Sequence, residues 1–253
     1  MDKKKLLMFV GIGIIFMLSS ALTYWFYFSK PVSFPNKEQL VEEINKIFPE
    51  AAATVIQDTI PVDERHVLVP FISNESHYGL SYWVWKKHKW RVAFIDASGE
   101  PRLWKVDRNN PSSYHFVWNI HPEDHLSAID FYMLKDRGYL VTEGKEFYYP
   151  KVQMEESVSL REKPYGALQL PEEWVSFMNT FIKVESAKQP NLFFNDIFTE
   201  QYVHFGWISY DQTNKESFPE RSFSGGGSYS NDNVNLDFLM ILEKEQLEVP
   251  ELD

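Results

Sequence analysis

Residues 79–96 read GLSYWVWKKHKWRVAFID, two apolar, aromatic-rich runs on either side of a basic tetrapeptide. Aromatic and β-branched side chains favour strands, and a short polar insert between two such runs reads as a hairpin turn. In the first run Leu80, Tyr82 and Val84 share one face of a strand while Ser81, Trp83 and Trp85 share the other. Apolar groups fall on both faces. The sheet built on this hairpin is therefore expected to be covered on one side and at least in part on the other.

Outward from this hairpin, short strands punctuated by turns are predicted over residues 67–72, 79–86, 90–96, 102–106, 114–120, 127–134, 139–142 and 147–152. Residues 86–89 and 97–100 supply hairpin turns, the second with Gly99 available for a positive φ. Within 114–120, Tyr114, Phe116, Trp118 and Ile120 line one face, with Val117 opposite. Strands this close in sequence pair antiparallel.

Helices flank the strands. Asn36 and Gln39 are spaced as a capping box, and Leu40, Val41, Ile44, Ile47 and Phe48 recur at helical spacing before Pro49, which predicts a helix over 37–48. Pro171, Glu172 and Glu173 open a second one over 172–187, with Trp174, Phe177, Met178 and Phe181 along one face. Residues 202–210 and 234–242 read as two further strands. The polar stretch 211–233, with Gly225-Gly226-Gly227-Ser228, reads as a mobile surface loop, and 243–253 as an acidic tail. The expected class is α+β: an N-terminal transmembrane helix, then an antiparallel β-meander sheet packed against one or two helices within residues 37–242.

The transmembrane expectation rests on residues 6–28, a run of 23 without a charge. Such a helix spans about 35 Å, against about 30 Å for the hydrocarbon core of a bilayer. Its far end, Tyr24-Trp25-Phe26-Tyr27-Phe28, is an aromatic cluster suited to headgroup level. Lys3, Lys4 and Lys5 abut the near end, so residues 1–5 are expected to be a cytoplasmic stub, 29–36 a Pro-containing spacer, and the large domain extracytoplasmic at the cell membrane. The competing reading is a cleaved signal peptide ending near Ser19-Ser20-Ala21. Cleavage there would leave a strongly apolar new start, which favours the uncleaved anchor.

Composition narrows the function. Residues 31–253 hold 21 basic and 35 acidic side chains, a net charge of about −14, which repels nucleic acid and anionic surfaces. With no cysteine, disulfides, thiol catalysis and thiolate metal sites are excluded, and a domain outside a membrane without cysteine fits a bacterium. No cofactor motif is present. Gly225-Gly226-Gly227-Ser228 lacks the lysine that a phosphate loop requires.

Three constellations remain. His121-Pro122-Glu123-Asp124-His125 offers two imidazoles and two carboxylates suited to Zn²⁺, though such a run is more often a polar turn between strands. Asn231, Asp232, Asn233, Asn235 and Asp237 offer oxygens for Ca²⁺, so Asp232 and Asp237 are candidate ligands. Their alternation with apolar residues is equally the polar face of a strand. Trp83, Trp85, Trp90, Trp104 and Trp118 would stack on a glycan or anchor a protein partner if exposed in a row, and would build the core if not. Beside them Lys86, Lys87, Lys89 and Arg91 form a basic patch. These features favour a membrane-anchored binding or interaction module with a protein or glycan partner. The alternatives are a carboxylate-based extracytoplasmic hydrolase or glycan-modifying enzyme, and a subunit of a membrane complex.

Overall fold

The capping box forms as expected. Asn36 Oδ1 accepts from the Gln39 amide at 2.9 Å and Gln39 Oε1 accepts from the Asn36 amide at 3.0 Å, starting helix α2 (Lys37–Ile47). Its Leu40 and Ile44 are fully buried, each worth about 2 kcal/mol in apolar burial. The computed structural model describes residues 3–142, 145–188, 203–231 and 234–248. Over these residues the fold is α+β, mostly antiparallel sheet with three α-helices.

The first sheet joins β1 (Ala53–Ile56), β3 (His66–Ser73), β4 (Tyr78–Lys86), β5 (Lys89–Asp96) and β14 (Ser228–Ser230) in that order, with β2 (Ile60–Pro61) beside β3. The second has the order β12 (Tyr165–Gln169), β7 (Tyr114–Asn119), β6 (Arg102–Lys105), β15 (Asn235–Phe238). The third runs β11 (Val152–Ser159), β8 (Leu126–Lys135), β13 (Val203–Asp211), β16 (Met240–Ile241), and its last pair is parallel. A separate hairpin pairs β9 (Gly138–Thr142) with β10 (Lys145–Tyr149).

A single meander sheet was expected, and three stacked sheets are found. The second is the filling. Its Trp104 and Val117 pack with Leu68, Leu80 and Tyr82 of the first sheet, while Leu103, Phe116 and Trp118 pack with Phe131, Met133 and Trp207 of the third. That third layer also receives Trp174, Met178 and Phe181 of α3 (Glu172–Lys188). On the far side, Val67, Val69, Phe71 and Trp83 of the first sheet pack against Leu40 and Ile44 of α2. Apolar residues on both faces are thus explained by layers on both sides.

Strand alternation breaks at one place. Tyr82 pairs with Phe94 but Trp83 pairs with Val92, leaving Ala93 as a bulge. The extra residue lets Val92 face α2 and Phe94 face the second sheet. Asn231 satisfies the disturbed backbone, its side-chain and main-chain amides donating to Val92 O at 2.6 Å and Ala93 O at 3.1 Å.

Several expectations change in detail. Residues 234–242 are not one strand: the chain leaves β15 at buried Leu239 and switches sheets to β16. The expectation of a mobile loop at 225–228 is replaced by a docked one. A Cβ on Gly225 would lie 2.6 Å from the Ala97 carbonyl carbon, and Ala97 N donates to Gly227 O at 3.0 Å. This contact adds β14 to the edge of β5. The acidic tail is in part docked too, with Glu248 taking a 2.7 Å ion pair from Arg137.

Helix α1 (Lys3–Phe28) forms over the apolar N-terminal run. Among the described residues no helix is long and apolar enough to cross a membrane.

The tightest glycine approach among the described residues is at Gly99. A Cβ on Gly99 would sit 1.8 Å from Asn119 O, where Gly99 O accepts from the Asn119 amide at 2.9 Å. Gly99→Ala is expected to cost about 3 kcal/mol by forcing the first and second sheets apart. Gly226→Ala, whose Cβ would meet nothing closer than 3.7 Å, should change stability little. Chemical denaturation monitored by tryptophan fluorescence reads both.

Candidate functional site

β6 and β15 pair with Leu103 opposite Asp237 and Lys105 opposite Asn235. Lys105 and Asp237 are therefore diagonal neighbours on one face, and the Lys105 ammonium meets the Asp237 carboxylate at 2.5 Å. Where this face leaves the third sheet, a cleft of about 540 Å³ opens, a volume ordinary for a small-molecule site. Met178 and Ile182 of α3 and Val203, His204 and Phe205 of β13 close one side; Phe238, Leu239 and Met240 form the other. Lys105 is buried and also lies 5.6 Å from the Tyr114 ring centre, a cation–π distance. Tyr114 Oη donates to Arg108 O at 2.6 Å, which fixes the turn that brings Arg108 and Asn109 to the rim.

Charge in the cleft runs against the rest of the chain. Among the described residues its lining carries two permanent cations, Lys105 and Arg108, with His204, and one carboxylate, Asp237. The chain as a whole is at −11. The rim is apolar: Phe238 is 74% exposed, and Met240 and Ile241 are half exposed beside it.

A buried charge cluster stands behind Phe238. Arg102 bridges Asp96 at 3.0 Å and Glu100 at 2.5 Å, all three nearly buried, and its guanidinium lies 3.8 Å from the Phe238 ring centre. Burial pushes the Glu100 carboxyl above its ordinary range and Asp96 adds to this, while Arg102 pulls it back. Burial likewise holds the Tyr82 hydroxyl well above its usual pKa. Among the described residues, Tyr82 Oη and Arg102 Nε meet no hydrogen-bond partner.

The residues expected to carry function are dispersed. Trp83, Trp85, Trp104 and Trp118 are at most 5% exposed and Trp90 is half-buried, so no open stacking row forms. Trp83 packs toward α2, Trp104 against Tyr82 between the first two sheets, and Trp118 against Phe131 between the second and third. Their indole area is consumed by three separate interiors.

His121 and His125 end opposite sides of a short 3₁₀ turn, Pro122–Asp124, with His121 buried and His125 exposed in a left-handed conformation. His121 Nδ1 accepts from the Glu123 amide at 3.1 Å. Asp124 accepts from Ser222 Oγ at 2.6 Å and from the Arg221 and Ser222 amides, each at 3.0 Å, and Glu123 pairs with Arg221 at 3.0 Å. The run thus ties the 218–227 segment to the body, with His121 Nδ1 and the Asp124 carboxylate already engaged. Asp237 faces an ammonium rather than a cation vacancy, and Asp232 lies outside the described residues. No group of three metal-ligating side chains occurs among the described residues.

Sequence reading missed the cleft because its walls come from β6, α3, β13 and β15, which are spread over more than a hundred residues of chain. The available signal was the alternation of Asn235 and Asp237 with Leu236 and Phe238 in β15, which sets both polar side chains on one face. The chain matches no family model, no characterised protein and no solved structure.

Arg102→Met would strand two buried carboxylates and is expected to cost about 3–5 kcal/mol at neutral pH. Without the guanidinium the folded-state pKa of Glu100 rises further above its unfolded value, so the fold binds more protons than the unfolded chain. The variant's deficit should therefore shrink as pH falls from 7 toward about 5, read from denaturation midpoints along a pH series.

Proposed function

We propose that the protein is a single-pass membrane-anchored binding module, whose extracytoplasmic domain receives an apolar ligand bearing a negative charge. The observation that carries the anchor is the surface of α1. Eleven of its large apolar side chains, from Phe9 to Phe26, are between 42% and 74% exposed. Complete burial of an aliphatic or Phe side chain is worth about 1.5–3 kcal/mol, of which these side chains realise only part in water, and a bilayer supplies the missing apolar medium. The uncharged run over residues 6–28 and the basic residues Lys3, Lys4 and Lys5 before it support the same reading and its direction.

The cleft supports the binding half. Apolar walls from α3, β13 and β15 suit a hydrocarbon or apolar side chain, and Lys105 with Arg108 suits a carboxylate or phosphate at one end. The ion pair with the half-buried Asp237 holds the buried Lys105 ammonium in place before any ligand arrives, which lowers the ordering cost of binding.

Since the chain has no cysteine, single introduced cysteines report topology without background. Ser33→Cys should react with a membrane-impermeant maleimide in intact cells, and Asp2→Cys only after permeabilisation. The full chain should stay in the membrane pellet through alkaline carbonate extraction. Release into the supernatant, or equal labelling of both cysteines, would remove the anchor from the proposal.

For the cleft, decanoate is a suitable probe and decanol its uncharged control, tested on a fragment of residues 31–253 once cooperative unfolding is established. Decanoate at a hundred times its dissociation constant should stabilise the fold by about 2.7 kcal/mol. Lys105→Met should weaken decanoate about tenfold and leave decanol unchanged. Equal effects of the two probes on both proteins would refute the charged end of the site.

A further inference from the structure

We infer that the tip of the β4–β5 hairpin is a docking site for the headgroups of anionic phospholipids at the membrane surface. The inference rests on the anchor proposed above and adds a partner for a different part of the molecule from the cleft. Lys86, Lys87, Lys89 and Arg91 are all exposed at this tip, in a chain whose net charge is −11. A local cationic cluster on an acidic domain attracts an anionic surface only if it is the part that faces that surface.

The geometry places it so. The end of α1 and the residues after it are held against the hairpin by a chain of contacts. The Trp25 ring lies 3.9 Å from the His88 ring, Ser29 Oγ is 2.9 Å from His88 Nδ1, and Arg65 Nη2 donates to Ser29 O at 2.9 Å. Further out, Trp90 Nε1 donates to Val32 O at 3.0 Å. With α1 in a bilayer, these contacts bring the tip to headgroup depth beside the aromatic end of the helix. Lys30, exposed, adds a fifth cation on the same side, while Asp63 and Glu64 at the neighbouring turn are the opposing charges. Asp63 is engaged by His66 at 2.9 Å.

Two details fit a lipid rather than a chance charge cluster. Leu22, Thr23 and Phe26 of α1 and Lys87 of the hairpin line a notch of about 280 Å³, with apolar groups on the helix side and an ammonium on the other. A phospholipid presents the same two chemistries in the same order, acyl chain then phosphate. The turn itself is Lys87-His88, both left-handed with φ of 52° and 65°. This turn sets Lys87 and His88 at the apex of the hairpin, between the exposed Lys86 and Lys89.

The test uses the full chain in nanodiscs of phosphatidylcholine, with or without about a third phosphatidylglycerol, carrying a bimane on Ser33→Cys and a headgroup spin-labelled lipid as quencher. Quenching is expected to rise roughly twofold with phosphatidylglycerol and to fall back in high salt. The variant Lys86→Glu/Lys87→Glu/Lys89→Glu should show no such rise while still co-eluting with the discs. Quenching that ignores phosphatidylglycerol in a disc-bound wild type would overturn the headgroup site and leave the anchor standing. Failure to co-elute with discs of either composition would overturn the anchor itself, and the headgroup site with it. Reversal of the phosphatidylglycerol effect by inorganic phosphate at constant ionic strength would assign the tip to a free anion and overturn the inference.

Discussion

Everything else in the domain depends on a polar contact buried at the end of β7. Asn119 has no solvent exposure, and its side-chain amide donates to Gly79 O and Gln57 Oε1, both at 2.8 Å, and more weakly to Phe71 O at 3.3 Å. Its backbone meets Gly99 in the turn between β5 and β6. One residue thus ties the second sheet to the first at a position where sliding would leave carbonyls unpaired in a dry interior, a loss of about 1–3 kcal/mol for each. Hydrophobic layers stack without much preference for register; this hydrogen-bonded corner supplies the register.

With the first two sheets held in place, burial accounts for the remaining order. The second sheet has apolar side chains on both faces, so it requires cover on both. The first sheet, backed by α2, provides one layer, and the third sheet with α3 provides the other. The cleft lies where α3 and β13 face β6 and β15. Its floor cannot be closed by apolar packing alone, since Lys105 and Asp237 occupy it as an ion pair. The charged cluster of Arg102, Asp96 and Glu100 stiffens the wall carrying Phe238 from behind. Clusters of this kind contribute little net stability, but they resist rearrangement because any broken member leaves an unpaired charge.

Much of the local structure was legible before folding. The 79–96 hairpin, its basic turn, the faces of β4 and β7, the capping box of α2 and the apolar face of α3 all follow from short-range rules of period and capping. Weak strands were not legible. β11 carries two glutamates and two serines on a partly exposed edge, and β1 and β2 are short, so neither alternation nor length marks them. Nor was the docked course of the glycine-rich segment, because close backbone approach to Ala97 is a property of the partner surface.

The functional residues divide along the same line. From the sequence alone came the uncharged N-terminal run, the acidic balance, the absence of cysteine and the basic patch at 86–91, because each is a sum or a contiguous pattern. The fate of the tryptophans could be decided only by tertiary structure: alternation assigns a side chain to a face, and only the stacking of sheets decides whether that face meets solvent or another layer. The same holds for His121 and Asp237. Their chemistry fits a metal, yet folding delivers a backbone amide to one and an ammonium to the other, and those neighbours lie where no sequence spacing points.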